Sequence, residues 1–194
     1  MKNLPIGIQT FHEIRDPKEN YIYIDKTDLA HQLINNGKYY FLSRPRRFGK
    51  SLFLDTLKDI FEGKKKLFEG LYIYDKWDWE TTYPVIKISF GSGVVKSIAD
   101  IDETIQELIE NNERRLQLEC VDNSKHKKCL GELIRTAYEK YNQKVVVLVD
   151  EYDKPILDNI TDKKLSKEVR DRLKNIYSVI KLHFRQKNEK LGKI

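Results

Sequence analysis

The sequence predicts an α/β fold with a mainly parallel sheet flanked by helices, and three observations lead to this prediction. Apolar runs typical of buried strands, at residues 39–43, 84–90 and 145–149, alternate with segments of helical periodicity. A glycine-containing loop directly follows the first run, and two carboxylates follow the last. Strands that alternate with helices are typical of parallel sheets covered on both faces, which bind ligands at the carboxyl ends of their strands. We therefore expect a ligand site at that edge of the sheet.

Composition is typical of a single globular domain with a well-charged surface. The chain has 194 residues, of which 40% are hydrophobic and 34% are charged. Its 36 Lys and Arg exceed its 30 Asp and Glu, and this net charge of +6 permits contact with nucleic acid without requiring it. Cys120 and Cys129 match no metal or redox spacing, so we expect a reducing cytoplasm. We see no apolar run long enough for a membrane span and no signal-peptide pattern, so we expect no membrane association.

The first part of the chain, residues 1–38, is predicted as a lead-in that contains one strand and one helix. The strand is expected at Tyr21–Ile24, and Asp25 or Thr27 can cap the helix that follows. A role at a ligand site is the alternative for Asp25, Lys26 and Thr27, and the sequence does not decide between the two.

Gly49, Lys50 and Ser51 come between a predicted strand and a predicted helix, which is the setting of a phosphate-binding loop. The first N–H groups of a helix lack internal acceptors, and the helix dipole adds partial positive charge there, so a polyphosphate can bind. Glycine at position 49 lets the backbone approach the ligand. Lys50 can reach the β- and γ-phosphates, and the Ser51 hydroxyl can bind Mg²⁺.

The loop departs from the full Gly-x-x-x-x-Gly-Lys-Ser pattern. Arg44 stands where that pattern has glycine, and Pro45 lacks an N–H, so the loop offers one donor fewer to a phosphate. Arg46 and Arg47 can compensate with charge. The alternative is a basic turn before an ordinary helix. The candidate nucleotide-binding residues are Arg44, Pro45, Arg46, Arg47, Phe48, Gly49, Lys50, Ser51 and Leu52.

The apolar run 145–149 ends in Asp150 and Glu151, which favours a buried strand with an acidic end. In phosphate-loop NTPases the first such carboxylate helps to hold Mg²⁺, so Asp150 is predicted beside Ser51. Glu151 can orient or deprotonate the attacking water, and Lys50 and Glu151 are therefore the candidate catalytic residues. The alternative is a core strand that simply ends in a polar loop. Asp153 is a third carboxylate, for which helix capping or surface exposure is at least as well supported as catalysis.

Apolar periodicity predicts the remaining helices and the end of the domain. A helix follows Lys50 and stops near Gly63, and further helices are expected through residues 101–118, 130–141 and 165–181, with a break at 119–125. The last residues, 183–194, are basic and poorly periodic, so we expect a frayed tail after a domain of residues 1–182.

Four stretches together resemble the AAA-ATPase-like domain found in many gut and anaerobic bacteria. They are Leu4–Gln9, Tyr23–Thr27, Phe41–Ser51 and Val149–Pro155, within a similarity that covers about residues 3–180. Members of that family often carry a nuclease-like domain of the PD-(D/E)XK type at their C-terminus. The loop without its first glycine looks like the family's own version of the phosphate loop.

The resemblance implies a three-layer P-loop NTPase that binds ATP and Mg²⁺. It implies that Lys50 and Ser51 contact the phosphates, with Asp150 and Glu151 as the metal and water carboxylates. Relatives continue beyond residue 181 into a further strand with a polar end, so the resemblance indicates a C-terminally incomplete domain in which hydrolysis is affected more than binding. Alternatives are a non-catalytic nucleotide-sensing or interaction module and a nucleic-acid-associated protein. The sequence leaves a homo-oligomer open.

Overall fold

The computed structural model describes residues 2–43, 45, 47–118 and 126–185. These residues form seven α-helices, one 3₁₀ helix and two strands. The elements are α1 (Phe11–Ile14), α2 (Thr27–Asn36), α3 (Lys50–Phe61), the 3₁₀ helix (Lys65–Phe68), β1 (Val85–Ser89), α4 (Ile98–Leu116), α5 (His126–Tyr141), β2 (Val146–Asp150), α6 (Lys154–Leu157) and α7 (Lys163–Arg185).

The first of two compact units extends to Val85 and contains α1, α2, α3 and the 3₁₀ helix. Aromatic side chains from separate stretches build its core. The Phe11 ring lies 5.2 Å from Tyr23 and 4.8 Å from Phe68, measured between centroids, and Phe68 in turn lies 5.0 Å from Trp79. Tilted and edge-on ring pairs at these distances add to the stabilisation that burial supplies. This core fixes α1 against α3, since Phe11 belongs to α1 and its backbone N–H donates to Asp55 of α3 at 2.9 Å.

The second unit begins at Ile86 and packs four helices, α4 to α7, with a two-stranded parallel sheet. A parallel pair needs a long crossover, and α4 and α5 supply it here. Val146, Val147 and Leu148 are buried, as expected for a strand covered on both faces. The N–H of Phe90 donates to the backbone oxygen of Asp150 at 3.2 Å, so the ends of the two strands are held together.

The predicted mixture of strands and helices is confirmed, but not every strand forms. The runs at 84–90 and 145–149 became β1 and β2. The prediction of a strand at 39–43 was wrong, because the structure assigns no strand there and the Phe41 side chain is 72% exposed. At Tyr21–Ile24 there is only an isolated bridge between Tyr21 and Asn3. An apolar run becomes a buried strand only when other elements cover both of its faces, which its residue types cannot ensure.

The predicted helices after Lys50 and through 101–118, 130–141 and 165–181 are confirmed as α3, α4, α5 and α7. The last of them continues to Arg185, past the predicted start of the tail at residue 183. The predicted break at 119–125, which includes Cys120, and the tail from residue 186 lie outside the described residues. No helix in the described part of the chain combines the length and the apolar character that crossing a membrane requires.

Candidate functional site

The start of α3 has the backbone geometry that a phosphate site needs. Gly49 precedes the helix in the left-handed conformation, with φ at +70°, and its carbonyl accepts the first intrahelical hydrogen bond, from Phe53 at 3.0 Å. The amides of Lys50, Ser51 and Leu52 therefore come before the first intrahelical bond. Among the described residues no side chain caps this end of the helix. The site thus presents backbone donors and the positive end of a helix dipole together.

Lys50 folds back over the loop that precedes it. Its Nζ donates to the backbone oxygen of Pro45 at 3.2 Å. Arg47 adopts a left-handed φ of +68°, and the Phe48 side chain is 59% exposed. Arg44 and Arg46, both predicted to contact phosphate, lie outside the described residues. The described loop therefore combines two left-handed residues with a contact from Lys50 to its backbone.

Asp150 ends β2 as a buried residue, with only 8% of its surface exposed. Its Oδ1 accepts the N–H of Glu151 at 3.0 Å, and this bond turns the carboxylate towards the end of the strand. Carboxylate oxygens are the ligands that Mg²⁺ prefers, so the chemistry of this donor fits the predicted metal role.

Glu151 leaves the strand in a conformation that is uncommon outside glycine, with φ at +49°. Such strained residues are frequent at functional sites. A Cβ on Gly91 would lie 3.2 Å from Oε2 of Glu151, so the carboxylate lies close to the backbone just after β1. A side chain at position 91 would therefore push Glu151 away.

Two further side chains tie the turn after β2 to the segment that leaves β1. Lys154 Nζ donates to the carbonyl of Gly93 at 2.5 Å and pairs with Asp158 at 2.9 Å. Asn159 Nδ2 donates to the carbonyl of Val95 at 2.7 Å from a buried position. The loops at the carboxyl ends of both strands therefore form one fixed structure around Glu151.

Asp153 lies next to α6, where it occupies the N-cap position without a side-chain capping bond. Burial, followed by the charge of Asp153 and the neighbouring Tyr152, raises the pKa of the Tyr177 hydroxyl. The neutral hydroxyl donates to the backbone oxygen of Tyr152 at 3.4 Å. Asp153 thus lies near the neutral Tyr177 hydroxyl, in the turn between β2 and α6.

The Asp25 to Thr27 stretch has a structural role in the first unit. Asp25 accepts hydrogen bonds from the N–H of Thr27 at 2.8 Å and from that of Tyr72 at 2.7 Å, so it joins the start of α2 to a distant loop. Partial burial raises the pKa of the Asp25 carboxyl, but these bonds and the Thr27 hydroxyl outweigh it, and the net pKa is lowered. Lys26 occupies the N-cap position of α2 without a side-chain capping bond, and Asp25, one residue earlier, accepts the first N–H of the helix instead.

Four polar residues of the structure have no counterpart among the residues predicted from the sequence. No role was predicted for Lys154, although it lies in the Val149–Pro155 stretch, or for Asn159, and only the structure shows that they reach back to the loop after β1. Asp55 and Asp59 are buried on α3 despite their charge. Their spacing of four residues, which puts both on one face of α3, was a readable signal.

The predicted site residues fall into two groups, each gathered within one unit. Pro45, Arg47, Phe48, Gly49, Lys50, Ser51 and Leu52 belong to the first unit, and Asp150 and Glu151 belong to the second. Within its own unit, each group has the local geometry described above.

Comparison with known proteins gives a consistent result. The family model described as Predicted AAA-ATPase matches residues 5–190. A protein of Azotobacter chroococcum mcd 1, described as an uncharacterized protein in the vnfD 5′ region, is 54% identical over 180 residues. That match covers 93% of this chain and 34% of the relative, so the chain spans about a third of the relative's length. No solved structure matches significantly.

Proposed function

The chain belongs to the predicted AAA-ATPase family, and from that premise we propose that it binds ATP with Mg²⁺ at the start of α3. The observation that carries the proposal is the left-handed Gly49 immediately before a helix that begins with Lys50 and Ser51. Backbone amides at a helix start, one lysine and one hydroxyl are the groups that a metal-bound triphosphate needs.

In this proposal Lys50 leaves the Pro45 carbonyl and pairs with the β- and γ-phosphates. A lysine ammonium on a flexible stem makes this exchange readily, and a phosphate is a stronger acceptor than a carbonyl. Ser51 and Asp150 are the residues that would supply oxygen ligands to Mg²⁺, and the ion would neutralise charge on the phosphate oxygens.

Hydrolysis is the second part of the proposal. A water oxygen attacks the γ-phosphorus while the bond to the β–γ bridging oxygen breaks and ADP leaves. Glu151 orients this water and accepts its proton. The fixed loops around Glu151 support the role, because a general base must be held within hydrogen-bond reach of the water.

Calorimetric titration of the full chain with Mg²⁺ and ATP tests binding. We expect the wild-type chain to bind and the Lys50→Ala variant to lose measurable binding, because the phosphates lose their main cationic partner. Lys66→Ala is the matched control, since it removes the same charge from an exposed position in the same unit and leaves binding unchanged.

Phosphate release at saturating ATP separates the two parts of the proposal. Binding with release supports an ATPase, whereas binding without release indicates a nucleotide-sensing module. Equal ATP affinity in the wild type and Lys50→Ala would refute the site.

A further inference from the structure

Three side chains of the first unit converge between α1 and α3. His12 of α1 meets Asp55 and Asp59 of α3, and one potential ligand atom from each residue lies within 4.8 Å of the other two. The two aspartates are four residues apart, so they share one face of α3. The N–H of Phe11 donates to Asp55 Oδ2 at 2.9 Å, which holds the His12 backbone beside that face.

One carboxylate oxygen of Asp59, Oδ2, has no hydrogen-bond partner among the described residues. The residue is fully buried, and its Oδ1 accepts from Lys64 at 2.7 Å and from Lys58 at 3.2 Å. Its Oδ2 is buried and has no hydrogen-bond partner in the described part of the chain. A buried carboxylate oxygen without a partner is costly, so a cation bound at Oδ2 would remove that cost.

We propose that His12, Asp55 and Asp59 bind one divalent transition-metal ion of the zinc class. One imidazole nitrogen and two carboxylate oxygens suit Zn²⁺ and similar ions, and three protein ligands leave a fourth position for water. Bond lengths of about 2.0–2.2 Å put tetrahedral ligand atoms about 3.4 Å apart. The three ligand atoms already lie within 4.8 Å of one another, and rotation of the exposed His12 side chain can adjust its distance to the two aspartates.

The two neighbouring lysines, Lys58 and Lys64, would compete with a metal ion for Asp59. Lys58 and Lys64 both contact Oδ1 of Asp59, and their charges oppose a cation at the cluster. The Lys64 side chain is 40% exposed, whereas that of Lys58 is 14% exposed, so Lys64 can move into solvent when metal binds. Removing the Lys64 charge should therefore strengthen metal binding. A cluster held together only by its ion pairs would bind no metal with or without that charge.

This site differs from the proposed magnesium site in place and in chemistry. Asp55 and Asp59 follow Ser51 by four and eight residues on one helix, which is about 6 Å and 12 Å along its axis at 1.5 Å per residue. A histidine ligand favours zinc-class ions over Mg²⁺, which prefers oxygen. A bound ion would join α1 to α3, the helix that begins with Lys50.

The test is calorimetric titration of the metal-stripped full chain with Zn²⁺, in millimolar Mg²⁺ and without nucleotide, together with Co²⁺ absorption spectroscopy. We expect one equivalent to bind, with a visible Co²⁺ band of mixed nitrogen and oxygen ligation. His12→Ala should weaken binding roughly tenfold or more, because it removes a ligand rather than a ligand's support. His31→Ala, which changes a histidine of α2 outside the cluster, should leave it unchanged.

Two further variants keep the proposal open to refutation. Lys64→Gln should tighten Zn²⁺ binding, and Lys50→Ala should leave it intact even where it abolishes ATP binding. Asp59→Asn should lose the metal, with circular dichroism to check that it folds, and His12→Ala gives the answer if it does not. Zn²⁺ binding that is substoichiometric, or equal in the wild type and His12→Ala, would overturn the site.

Discussion

The phosphate loop and the acidic end of β2 are positioned in different ways. Phe48 in the loop is 59% exposed, and the loop geometry depends on backbone conformation at Gly49 and on the bond from Lys50 to Pro45. Asp150 is 8% exposed and ends a buried strand. The turn beyond it is tied by side chains to the segment after the neighbouring strand.

The difference shows which of the two candidate regions is already organised. A helix start offers its donors through local backbone geometry, so a short motif is enough to provide a phosphate site. Carboxylates that hold a metal or a water must be fixed in direction, and this needs a packed sheet with loops around it. Binding should therefore depend on the loop, and turnover should depend on the acidic end.

Glu151→Gln is expected to give the largest effect that distinguishes the two regions. The change keeps the size of the side chain but removes the base, so phosphate release should fall by about 10²- to 10⁴-fold. Calorimetric affinity for Mg²⁺ and ATP should stay near the wild-type value.

Asp153→Asn is the matched control, because it changes a carboxylate two residues further along, at the N-cap of α6. It should retain phosphate release. If Glu151→Gln lost ATP affinity, or released phosphate as fast as the wild type, the assignment of binding to the loop and of turnover to the acidic end of β2 would be wrong.

A pair of truncations tests the difference in burial between the same regions. Leu148→Ala in β2, where the side chain is 4% exposed, should lower the free energy of unfolding by about 2–5 kcal/mol through lost burial and a cavity. Phe41→Ala before the loop removes a larger side chain that is 72% exposed, and it should change that free energy by only about 0.5 kcal/mol. Urea unfolding followed by far-ultraviolet circular dichroism measures both.

A cost for Phe41→Ala comparable to that of Leu148→Ala would contradict the exposed placement of residues 39–43. It would instead support the strand that the apolar pattern predicted there.

The sequence could predict what depends on local pattern. Helix α3 with its glycine start, and the strands at Val85–Ser89 and Val146–Asp150, follow from periodicity and turn residues. It could not predict the fate of residues 39–43, because strand formation depends on which elements cover the run. It also could not reveal Lys154 and Asn159, whose acceptors are 61 and 64 residues away.

The smallest effect is expected from a pair of glycine substitutions, which tests whether the left-handed backbone before α3 serves nucleotide binding. Gly49 and Gly70 have φ values of +70° and +75°, and a Cβ at either would meet no atom within 4 Å. Replacement by alanine should therefore cost about 1–2 kcal/mol at each position through conformational strain alone. The two variants should show similar losses in urea unfolding.

Only Gly49 lies where a phosphate would approach the backbone, so only Gly49→Ala should also weaken ATP binding, by roughly tenfold or about 1.4 kcal/mol. Calorimetry on the two variants at equal stability isolates this difference from general destabilisation. If both variants bind ATP alike, the left-handed turn before α3 serves only to begin the helix. The loop would then be no better supported as the nucleotide site than any other exposed helix start in the first unit.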